Sequence, residues 1–130
     1  FQHWIYTHPD HNVGQRDSAW NEIQDRFGGN IDWSGHERAR TKMWHRQSHI
    51  FLVPFYYIEY GIAQLGALGV WNNSKSDRTK ALADYKKALS LGGSRSLPEL
   101  FSAANIPFKF DSEAFKPLIE LIQEELANLK

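Results

Sequence analysis

From Pro54 to Trp71 the sequence PFYYIEYGIAQLGALGVW carries a single charge, Glu59. A run this apolar has few destinations: it crosses a membrane, packs into a core or lines a site. Extended back to Ile50, the stretch Ile50 to Trp71 is roughly long enough to span a bilayer, and aromatic residues lie near both ends. Pro54, Glu59 and Gln64 count against a span, because a carboxylate at the centre of a bilayer costs about 3 kcal/mol. In a soluble core the same group pairs or lines a cavity. The spacing therefore predicts a packed helix over Pro54–Asn72, with the proline in its first turn. Phe55, Ile58, Ile62, Leu65 and Leu68 supply its apolar face. Gly61, Gly66 and Gly69 lower its intrinsic propensity and are expected at close contacts with neighbouring elements.

The rest of the chain is punctuated as helices. Phe1 to Tyr6 reads as the last turns of a helix that Pro9 ends, and the start inside an apolar pattern suggests a chain cut from something longer. Asn12 with Gln15 is a capping box before Ala19, Trp20, Ile23 and Phe27, and Gly28-Gly29 is the stop. Ser34 with Glu37 reads as a second box, opening a polar helix through Trp44 and His45. Asn72 to Asp77 is a predicted loop, and Ser76 or Asp77 caps a helix ended by Gly92-Gly93. Ser96, Pro98 and Glu99 announce a short helix that stops near Asn105. Asp111 or Ser112 starts a last helix with Phe115, Leu118, Ile119, Ile122, Leu126 and Leu129 as its stripe, and Pro117 sits in its opening turn or kinks it. No segment alternates at period two for long. The expected fold is all-α with about six helices, residues 1–130 forming one helical domain or fragment.

Composition narrows the function. Fifteen acidic residues balance fifteen basic ones, which argues against charge-driven binding to nucleic acid or a membrane surface. There is no cysteine, so neither a disulfide framework nor a thiolate metal site is available. A reducing cytoplasm is compatible with that usage. The opening residues show no basic region followed by an apolar run. Five tryptophans and eight phenylalanines imply a dense core or a face built to meet another surface.

His45 and His49 are four apart and would share a face on a continuous helix. The HExxH zinc signature needs Glu directly after the first histidine, as the base that activates water, and here Arg46 stands there. His8 and His11 form a looser pair around Pro9. Solvated or hydrogen-bonded histidines are the expected reading of His8, His11 and His45, with no metal held by this chain. The tyrosines are different. On the predicted helix Tyr57 and Tyr60 are three apart, so their hydroxyls leave one face together, with Tyr56 and Glu59 beside them. Phenols are neutral donors at pH 7. Two of them, with His49 arriving from before the Val53-Pro54 break, make a cradle for a peptide carbonyl or an oxyanion. The plain alternative is a core helix.

FQHWIYTHP, RDSAW, IDWSG, HIFLVPFYYIEYGIAQLGALGVW and ALSLGGSRSLPELF, in that order, resemble the C-terminal part of oligoendopeptidase F. These are cytoplasmic zinc metallopeptidases related to thimet oligopeptidase. The resemblance implies the C-terminal portion of a helical catalytic domain acting on short peptides. In that family HExxH and a later glutamate hold zinc, and a downstream histidine and tyrosines bind substrate and stabilise the tetrahedral intermediate. Those roles fall here on His49, Tyr57 and Tyr60. The loop between histidine and tyrosines varies in length in the wider family, so Tyr56 is a substrate-binding residue that could replace one of them.

The chain contains no HExxH. It would thus carry the oxyanion side of a site whose zinc belongs to an upstream segment of the parent, and it should be inactive alone. Apolar surface left bare by truncation should favour self-association. A stand-alone helical peptide-binding module, or a structural one, is the competing expectation.

Overall fold

The computed structural model describes residues 1–129, and the fold is all-α, with eight α-helices and no strand among them. The chain divides into two compact units, one ending at Glu59 and one starting at Tyr60.

The first unit opens with α1 (Gln2–Thr7) and α2 (Val13–Phe27). The Asn12 box forms as the sequence predicts. Asn12 N–H donates to Gln15 Oε1 at 2.8 Å, and Gln15 N–H donates to Asn12 Oδ1 at 3.0 Å. α3 (Glu37–Lys42) tightens into a 3₁₀ turn over Met43–Arg46 and gives way to α4 (Ser48–Leu52). The second predicted box does not form. Ser34 gives its N–H and hydroxyl to Asp32 at 2.9 and 2.6 Å, and Gly35 at φ 77° turns the chain before His36 can start the helix.

α2 and α3 are joined by polar contacts at their edges. Trp20 Nε1–H donates to Arg40 O at 2.9 Å, Asn21 meets Thr41 at 3.1 Å, and the pairs Arg40–Asp25 and Lys42–Asp17 flank them. Trp20 and Trp44 are buried, and Phe1 packs on both, at ring distances of 5.3 and 5.5 Å. Gln2 then ties α1 to the far end of the unit. Its Nε2 donates to Ile50 O at 3.3 Å and its Oε1 accepts Phe55 N–H at 3.2 Å.

That tie bears on the largest departure from the predicted helices. The long helix α5 is Ile58–Ser76, not Pro54–Asn72. Phe55 sits at φ 60°, a left-handed conformation incompatible with a first helical turn, held by Gln2 and by packing of its ring on Tyr6 at 5.3 Å. Pro54, Tyr56 and Tyr57 therefore lie in a turn before the helix. Phe55 and Ile58, predicted to be core, are exposed.

In the second unit α5 runs past its expected end. Asn73 Nδ2 donates to Asn105 O at 2.8 Å, Ser74 Oγ donates to Trp71 O at 2.7 Å, and Lys75 pairs with Glu125 at 2.5 Å. With those side chains satisfied, the predicted loop shrinks to Asp77, which accepts Lys80 N–H at 2.9 Å and caps α6 (Arg78–Leu91). Gly92 at φ 52° ends α6. α7 (Leu97–Ala103) follows Ser96, and Asn105 at φ 56° stops it. α8 (Ser112–Asn128) starts on Asp111, which accepts Ala114 N–H at 2.9 Å, and it contains Pro117 in its interior. Gly66 and Gly69 have the close neighbours expected of them: a Cβ would meet the Phe101 ring at 3.1 Å or Ile106 Cγ2 at 2.6 Å. Gly61 has none within 4 Å.

Candidate functional site

Gln47, at φ −88° and ψ 81°, breaks the backbone between the 3₁₀ turn and α4. His45 and His49 therefore belong to separate elements, and the four-residue spacing does not place them on one helix. α4 carries His49, half-buried, toward the Pro54 turn. There the imidazole stacks on the Tyr56 ring at 5.6 Å and 12°, and meets the Tyr57 ring edge-on at 5.1 Å and 75°. Tyr57 Oη donates to Gln47 Oε1. Four side chains, Gln47, His49, Tyr56 and Tyr57, thus form one cluster on the first unit.

Tyr56 is 47% exposed and Tyr57 43%, so the cluster is open to a ligand. Tyr60 is 53% exposed and lies in the first turn of α5. Because Tyr57 precedes that helix, the shared-face argument for Tyr57 and Tyr60 does not apply to the observed backbone. The structure brings His49, Tyr56 and Tyr57 together. Gln47 was missed in the sequence, where nothing in its spacing links it to a tyrosine ten residues on. Gln2, which anchors the turn from α1, was missed for the same reason.

The chemistry available is hydrogen bonding. Phenol, imidazole and carboxamide can hold a carbonyl or a developing oxyanion. They do not fit a zinc ion. Among the described residues no three His, Asp or Glu side chains gather closely enough to hold a metal. His8 and His11 are committed elsewhere. His8 Nδ1 donates to Trp4 O at 2.9 Å and His11 Nδ1 to His8 O at 2.5 Å, leaving His11 Nε2 to accept from Arg16 at 2.9 Å. That is the hydrogen-bonded role the sequence suggests for both.

Among the described residues no helix is long and apolar enough to cross a membrane. Fold and cluster together define an all-helical protein with an exposed patch of tyrosine, histidine and glutamine. The model of peptidase family M3 matches residues 1–116, and the chain belongs to that family. No curated protein and no solved structure matches it.

Proposed function

We propose that the chain is the substrate-facing, C-terminal part of the catalytic domain of an oligoendopeptidase F-type enzyme, acting on short peptides in the cytoplasm. The observation that carries this reading is the packing of His49 against Tyr56 and Tyr57 at an exposed turn, within a chain of family M3. His49, Tyr57 and Tyr60 hold the scissile carbonyl and its oxyanion, and Tyr56 lies along the bound peptide. Losing one such donor typically costs ~10²–10³ in rate. Zinc is not held by these residues, so an upstream segment of the same protein supplies it, and this chain alone does not turn over peptide.

Two measurements test the reading. The pure chain with added zinc should cleave no fluorogenic peptide; metal-dependent turnover would overturn the claim that the nucleophile comes from elsewhere. A short peptide should bind the chain, and the Tyr57→Phe, Tyr60→Phe double variant should lose that binding. One observation favours a purely structural module instead: the Tyr57 proton is already taken by Gln47. Equal peptide binding by wild type and the double variant would decide for that alternative.

A further inference from the structure

We infer that Gln47 is the positioning residue for Tyr57, and that its carboxamide works as a two-state partner. This rests on the functional reading above. A phenol has one proton to donate. That proton goes to Gln47 Oε1, and the bond spans the kink at Gln47 and the Pro54 turn. The same bond holds the Tyr57 ring edge-on to His49, two residues beyond Gln47. A bound peptide carbonyl needs that proton. A glutamine can release it without letting go of the ring. Rotation about its last side-chain bond exchanges Oε1 for Nε2, which then donates to the phenol oxygen. Tyr57 keeps its place, its proton turns to the substrate, and a donor behind the phenol polarises it further. Of the side chains close to glutamine in size, glutamate can accept the proton but cannot make this exchange while ionised.

The test uses the full chain and acetyl-(Gly-Ala)₃-amide as the probe, with binding read from the Tyr and His ring signals by NMR. Gln47→Glu keeps the acceptor and the geometry and removes the donor state. It should weaken binding by about 3- to 10-fold, the worth of one hydrogen bond, and match Tyr57→Phe. Combining the two should cost nothing further, since both remove the same bond. Gln47→Met, which neither holds nor releases the proton, should fall between wild type and Gln47→Glu, with a displaced Tyr57 ring signal. A passive brace predicts the reverse order, with Gln47→Glu like wild type and Gln47→Met worst, and that order would overturn the inference. If the probe shifts no ring signal in wild type, the peptide-binding reading falls and this inference with it. If wild type binds and Tyr57→Phe weakens it while Gln47→Glu does not, only the role of Gln47 falls.

Discussion

Gly61 and Gly69 lie on one helix and answer to different neighbours. A methyl at Gly69 would stand 2.6 Å from Ile106 Cγ2, a buried side chain. Gly69→Ala should therefore destabilise by about 1–3 kcal/mol, through overpacking. At Gly61 a methyl meets nothing within 4 Å, and alanine there should stabilise by roughly 0.5–1 kcal/mol through backbone entropy alone. Thermal unfolding of the two variants should move in opposite directions. A fall in both would mean that α5 is covered at Gly61 as well. Chain order cannot rank the three glycines of α5, because the difference is set by Phe101 and Ile106, which fold back from outside that helix.

At the scale of an element, α7 shows a cap with a titration signature. Glu99 accepts the Ser96 hydroxyl at 2.7 Å and the Ser96 N–H at 2.9 Å. These bonds, the hydroxyl first, hold its carboxyl below the ordinary value of 4.5. A carboxyl depressed on folding contributes stability that is fully present above its unfolded value and is lost as pH falls through the folded one. Between pH 6 and pH 3 the melting temperature of Glu99→Gln should thus fall less steeply below pH 4.5 than that of wild type. Parallel curves would show that the bonds do not survive in solution. Caps such as this one, Asn12–Gln15 and Asp77 were legible in the sequence because donor and acceptor lie within three residues. The start of α5 was not. Pro54 is a sound first-turn residue locally, but Gln2 and Tyr6 hold Phe55 at positive φ, and no local pattern carries that information.

At the scale of the whole molecule, much apolar side-chain surface is uncovered. Phe27 is 72% exposed, Leu52 75% and Leu129 82%, and no large side chain is fully buried among the described residues. The predicted stripe of α8 is only partly covered: Phe115, Leu118 and Ile122 are half-buried, Ile119, Leu126 and Leu129 are exposed, and the one buried leucine of the helix, Leu121, lies outside the stripe. Bare apolar surface of this kind finds partners. Sedimentation should show a concentration-dependent shift from monomer to larger species. A single monomer at high concentration would count against this.

The sequence by itself determined the helical class and most of the helix starts and stops. Those follow from short-range sterics and capping, which act within one or two turns. It also excluded HExxH chemistry within the chain, since that needs a residue type at a fixed offset. Only the tertiary structure decided where α5 begins, which tyrosines meet His49, and that Gln47 holds Tyr57. Each depends on a contact made by chain returning from elsewhere, whose register is set by packing rather than by neighbours in sequence.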